Sequence, residues 1–193
     1  DRLGFRLDLN PAVSEGRIEG PLNEDSQFYA AARRSFLQYI ISDPETTVIP
    51  IFNDYQVKWN TTHLSRHQLS FLSFGSYDSF FLKTNEVDAQ DPIISQFSTK
   101  QVDHIQGLSL KSHYDDYLSS TITLYNNYHI QKINLPPDLA LTTYLDQVRL
   151  IGHFVNDRLT HRPVFGFEIG HGWYKIQSHF VRLCGEGEPS CNV

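Results

Sequence analysis

Apolar residues recur along this chain at two spacings, and each spacing predicts a different element. At the start, Leu3, Phe5, Leu7 and Leu9 alternate with other residues, which is the period of a half-buried strand. Pro11, Gly16, Gly20 and Pro21 then interrupt the pattern, so residues 1–22 read as an N-terminal arm, a short edge strand followed by a loop. From Asn23 to Ile41 the spacing becomes four. Phe28, Ala32, Phe36 and Ile40 fall on one helical face, and Tyr29, Leu37 and Ile41 widen it. Asn23 is a suitable N-cap, Glu24 and Asp25 suit the positive end of the helix dipole, and Ser42-Asp43-Pro44 ends the run. The stripe is expected to be buried against a sheet. A second helix is predicted over Thr62 to Phe74, capped by Thr61 or Thr62, with Leu64, Gln68, Phe71 and Leu72 near one face and Gly75 at its end.

The remaining apolar runs look like strands. Thr46–Trp59 is extended despite Pro50, and Ser76–Leu82 is strand-like. Lys83–Pro92 is polar and acidic, a loop. Ser119–Ile133 reads as a strand, or as a hairpin turning at Asn126-Asn127, because asparagine tolerates positive φ. Leu135-Pro136-Pro137 breaks the chain. Gln147–Asn156, Pro163–Gly170 and Trp173–Leu183 form a terminal meander, with turns expected at Asn156-Asp157 and at Gly170-His171-Gly172.

Helices early and antiparallel strands late predict an α+β fold, with the N-terminal helices packed on a curved sheet. In element order this resembles the cone-shaped nuclear transport factor two-like architecture. That resemblance implies either a small-molecule enzyme or an envelope domain of a bacterial secretion machine. The expected organisation is the arm at 1–22, a single domain at 23–183 and a tail at 184–193.

Composition narrows the function classes. The chain has 193 residues, of which 40% are hydrophobic and 13% aromatic, enough for an ordered fold. Its net charge of −6 and scattered basic residues disfavour a nucleic-acid partner, whose phosphates call for a basic stripe. No apolar run approaches the roughly 18–20 residues of a membrane-spanning helix, so any anchor is expected outside these residues. The chain begins at Asp1 and lacks methionine, which suggests processing or trimming. The two cysteines, Cys184 and Cys191, bracket a short Gly/Glu/Pro loop, and a disulfide between them would contribute about 2–3 kcal/mol. Together these features favour a periplasmic or secreted location. Asn60-Thr61-Thr62 is a glycosylation sequon, relevant in a secreted eukaryotic protein.

Several constellations could carry chemistry. His63 and His67 sit at i and i+4 of the predicted second helix, where both could reach one metal, but Leu64 replaces the glutamate that a zinc protease needs. His113-Tyr114-Asp115 has the His-x-Asp spacing of a non-haem iron site, with His153 or His161 as a third ligand and Arg162 for an oxoacid. His153, Glu168 and His179 fall on neighbouring predicted strands and could do acid–base work in a pocket. No nucleophile elbow and no phosphate-binding glycine loop occurs. The resulting expectation is a non-catalytic extracytoplasmic domain without cofactor, binding a protein partner as part of a cell-envelope or secretion assembly. The alternatives are a small-molecule enzyme with a His/carboxylate pocket and a non-haem iron oxygenase.

Overall fold

A computed structural model describes residues 2–40, 46–84, 96–135, 139–158 and 163–180. Nine strands form one sheet in strict sequence order, each antiparallel to the next. They are β1 Gly4–Leu9, β2 Val13–Asn23, β3 Ser26–Ser35, β4 Thr46–Leu64, β5 His67–Thr84, β6 Gln96–His113, β7 Leu118–Leu135, β8 Leu139–Asn156 and β9 Val164–Phe180. Among the described residues the one helical piece is a 3-10 turn, Leu37–Tyr39.

The expected α+β fold is therefore wrong, and with it the cone of helices on a sheet. The first predicted helix is β3 followed by the 3-10 turn, and the second spans the end of β4, a tight turn at Ser65-Arg66 and the start of β5. The reason is geometric. Residues four apart share a face in a helix, but they also share a face in a strand, whose period is two. Phe28 and Ala32 thus line up along one side of β3, Phe28 beside Trp59 of β4 and Ala32 beside Tyr55. Burial differs from expectation too: Ala32 is exposed and Ile40 is 49% exposed.

Two expected turns are also absent. Asn126-Asn127 lies in the middle of β7, with Asn126 donating from Nδ2 to Asp146 Oδ1 at 2.7 Å and to the Gln147 carbonyl at 3.2 Å. Gly170-His171-Gly172 lies in the middle of β9, paired with Arg149, Val148 and Gln147 of β8. The turn after Asn156 is present, its side chain accepting from the Arg158 N–H at 3.0 Å. Other hairpins use the same device. Asn10 accepts from Ala12 and Val13, Asn23 from Asp25, and Asp115 from Tyr117 and Leu118. At Ser65 the tight β4–β5 turn takes a left-handed conformation, φ 53°. Pro50 is tolerated in β4 because β3 pairs only as far as Asn53, so Pro50 has a strand neighbour on one side alone.

The sheet has no hydrophobic core. No hydrophobic side chain among the described residues is buried; the buried ones are Ser26, Ser35, Thr61, Ser73, Ser112 and Ser120. β4 to β8 run for 18 or 19 residues each, about 60 Å at roughly 3.3 Å per residue. That is far longer than the usual five or six residues of a strand in a globular protein.

Candidate functional site: a sheet with two unlike faces

Cross-strand partners point to the same side of a sheet, so the register assigns every strand residue to a face. One continuous row runs Phe28, Trp59, Phe71, Leu108, Leu124, Leu150, Ile169. All seven are apolar, and this side is called the Trp59 face. The row next to it toward the tight turns runs Ser26, Thr61, Leu69, Leu110, Ile122, Gly152, Phe167. Phe5, Leu7 and Leu9 of β1 fall on the same face, through Ile18, Gly16 and Ser14.

The Trp59 face is bounded along the strands. Toward the tight turns it ends in hydroxyls: Ser26 donates to Thr61 at 2.9 Å, His67 Nδ1 pairs with Ser112 at 2.8 Å, and the Tyr114 and Ser120 hydroxyls lie 3.1 Å apart. In the other direction it reaches aromatic residues, Tyr55, Tyr128 and Trp173 in one row and Tyr77 and Tyr144 in the next. The Tyr55 ring lies across Gly75, where an added Cβ would stand 2.5 Å from Cε1, and its hydroxyl meets His104 Nδ1 at 2.5 Å. Between the Ser112–Ser120 row and the Tyr55–Tyr128 row the described residues of this face carry one formal charge, Asp146, held by Asn126. Ser26, Thr61, Ser73, Gln106, Asn126, His104 and His171 are the other polar groups there besides the tyrosine hydroxyls.

The opposite side, the Arg149 face, carries most of the charge, interspersed with apolar side chains such as Leu72, Phe74 and Ile105. All four arginine–carboxylate ion pairs among the described residues lie on it, Arg6–Asp8, Arg17–Glu19, Arg33–Asp54 and Arg149–Glu168, as does the 2.6 Å hydrogen bond between His129 Nδ1 and Asp103 Oδ1. The Arg33 guanidinium bonds Asp54 and is held above its ordinary value by that bond, as Arg149 is by its bond to Glu168. Gly107 and Gly170 flank Tyr125 and Arg149 in one row of this face, and Gly172 pairs with Gln147 in the next. The missing side chains of Gly170 and Gly172 leave a shallow furrow along β9, walled by Gln147, Arg149 and Glu168.

The sequence-predicted sites disperse over this sheet. His153 and Glu168 share the Arg149 face as diagonal neighbours, since His153 pairs with Gly166. His179 pairs with Ala140 on the opposite face, so the three do not converge. His63 is near the end of β4, with its side chain outside the described residues, and His67 opens β5 across the tight turn, bonded to Ser112. His113 ends β6, and Asp115 follows in the turn, where its Oδ1 accepts from Tyr117 at 2.7 Å and Leu118 at 2.6 Å. Those two N–H groups hold its carboxyl below the ordinary range. No cluster of three or more metal-ligating side chains occurs among the described residues. His161, Arg162, Cys184 and Cys191 lie outside the described residues. Asn60 sits in β4, paired with Gln27 and Ser70.

Sequence reasoning missed the two faces, although their signal was present. Arg6-x-Asp8 and Glu15-x-Arg17-x-Glu19 place charges on alternate residues, while Phe5, Leu7 and Leu9 take the positions between. Compared with known proteins, the chain matches no family model, no curated protein and no solved structure.

Proposed function

We propose that this sheet is part of the wall of a membrane-embedded β-barrel in a cell envelope, with the Trp59 face toward lipid and the Arg149 face toward a polar interior. Its role is structural and binding rather than catalytic, which keeps the extracytoplasmic envelope reading and the absence of a cofactor. The observation that carries the reading is the sorting of chemistry by face. Long antiparallel strands in a meander, apolar residues on one side and ion pairs on the other, are what a spanning barrel requires. An apolar face of this extent in water would be an association surface instead.

The diagonal course of the apolar residues supports the same reading. On β1 they are Phe5, Leu7 and Leu9, whereas on β9 they are Phe165, Phe167 and Ile169, several rows nearer the tight turns. Strands tilted by about 35–45° carry a level membrane band diagonally across the hydrogen-bonded rows. The protein partner expected for the chain becomes, in this reading, a neighbouring β-strand, since β1 and β9 each have an unpaired edge within the sheet.

The two tryptophans of the chain, Trp59 and Trp173, both lie on the Trp59 face. After refolding into vesicles, their fluorescence should be quenched by lipids brominated on the acyl chains. A single tryptophan moved to the other face, as in Trp59→Phe/Trp173→Phe/Tyr125→Trp, should escape quenching. Equal quenching from both faces, or from neither, refutes the proposal.

A further inference from the structure

We infer that the Trp59 face carries a binding site for the phosphate of an anionic lipid headgroup, centred on Lys100 and Lys132; this rests on the barrel-wall reading. The two lysines are direct cross-strand partners on β6 and β7. Like charges placed opposite each other destabilise a strand pair. Both side chains are exposed, and neither is paired with a carboxylate among the described residues. The repulsion is relieved by an anion bridging them.

The surroundings suit such an anion. The row holding the lysines runs Ser79, Lys100, Lys132, Thr142, Gln177, so hydrogen-bond donors flank the pair on both sides and no carboxylate does. In the next row Asn134 Nδ2 donates to Ser98. Lys175 adds positive charge one row nearer the apolar band, and among the described residues the nearest carboxylate on this face, Asp146, is engaged by Asn126. On the Arg149 face behind these strands Asp103 is bonded to His129.

Depth selects the source of the phosphate. From Leu124, in the wholly apolar row, to Lys132 β7 runs about 27 Å at roughly 3.4 Å per residue. At a tilt of about 40–45° that is about 20 Å along the membrane normal. Half of a bilayer with its headgroups is about 20–22 Å. With the apolar row at the midplane, the ammonium groups stand at the level of lipid phosphates, one row beyond the aromatic row of Tyr77 and Tyr144.

The test is co-flotation of the full chain, refolded into vesicles, with phosphatidylcholine alone or with a fraction of phosphatidylglycerol, read as the partition coefficient and the annular-lipid preference. Wild type should insert into both and favour the phosphatidylglycerol mixture. Lys100→Gln/Lys132→Gln should insert equally well into phosphatidylcholine and lose the preference, by about tenfold or more at low ionic strength. Lys58→Gln/Lys111→Gln, on the Arg149 face, should keep it. Inorganic phosphate in millimolar excess should not abolish it. A preference unchanged in the Lys100/Lys132 variant, equal loss in the Lys58/Lys111 variant, or full competition by inorganic phosphate overturns the headgroup site while leaving the barrel wall standing. Failure of wild type to insert into any vesicle overturns the barrel wall and the site with it.

Discussion

A charge placed in the middle of the apolar row tests which medium this face meets. Leu124 belongs to that row, on β7, and is 49% exposed. In a bilayer, about half of the roughly 2–3 kcal/mol that burial of a leucine contributes comes from lipid around it, about 1 kcal/mol. A lysine at the bilayer midplane costs a further roughly 2–4 kcal/mol. Leu124→Lys should therefore destabilise the vesicle-embedded protein by about 3–5 kcal/mol. With a urea slope of about 1–3 kcal/mol per molar, the midpoint falls by about 1 M or more. The control is Asn127→Lys on the same strand and the opposite face, where it pairs with Ile105 and Gln147. That change lies on the face that carries the arginine–carboxylate pairs, beside Gln147 as well as Ile105, and should stay within about 0.5 kcal/mol. If the Trp59 face is bathed in water, Leu124→Lys is also a surface change and the two variants behave alike. Equal midpoints in vesicles would refute the argument from face chemistry, whatever the stability of the wild type.

Two further predictions concern local geometry. Gly75→Ala puts a methyl group against the Tyr55 ring and should cost about 1–3 kcal/mol by overpacking; in Gly75→Ala/Tyr55→Ala most of that cost should disappear, and strict additivity of the two midpoint shifts would refute the contact. Asp115 has its carboxyl pK lowered by the Tyr117 and Leu118 N–H groups, so the turn is supported above the ordinary carboxylate value and loses that support as pH falls through the lowered one, below about pH 4. Hydrogen-exchange protection of those two amides should drop there in wild type and change less with pH in Asp115→Asn, which keeps an acceptor without titrating; protection flat through the acid range would refute it.

What could be read from the sequence was strand character without strand length or parity. Thr46–Trp59, Ser76–Leu82 and Gln147–Asn156 were each recognisable as extended, and each is a part of a longer strand. The leading pattern Leu3, Phe5, Leu7, Leu9 did mark an edge strand, β1. Local turn chemistry misled at Asn126-Asn127 and Gly170-His171-Gly172. A residue inside a paired strand has its backbone groups committed to ladder bonds, and a turn there would forfeit several of them. The spacing-of-four argument at Phe28 and Ala32 failed because it weighed one face only. The intervening Tyr29 and Arg33 occupy the other face of β3, and Arg33 finds its partner Asp54 on β4. A helix would have put Tyr29 beside the apolar stripe.

The edges of the sheet connect its shape to its surroundings. β9 is 17 residues long and pairs with β8 on one side. Its outward backbone groups form a ladder without a partner in the sheet, and Phe165, Ile169 and Trp173 stand on it 65–71% exposed. In water such an edge templates the addition of another strand. In lipid each unsatisfied backbone group costs several kcal/mol, so the edge must be paired there as well. Either medium demands the same closure, and what separates them is the face. A polar solvent favours covering the Trp59 face with a second layer, whereas a bilayer covers it without one. The near-complete absence of formal charge from that face between its hydroxyl and aromatic rows, beside four arginine–carboxylate pairs on its reverse, favours the bilayer. A second protein layer would place no such limit on the lysines one row beyond Tyr144, whereas a headgroup region accounts for both their sign and their height.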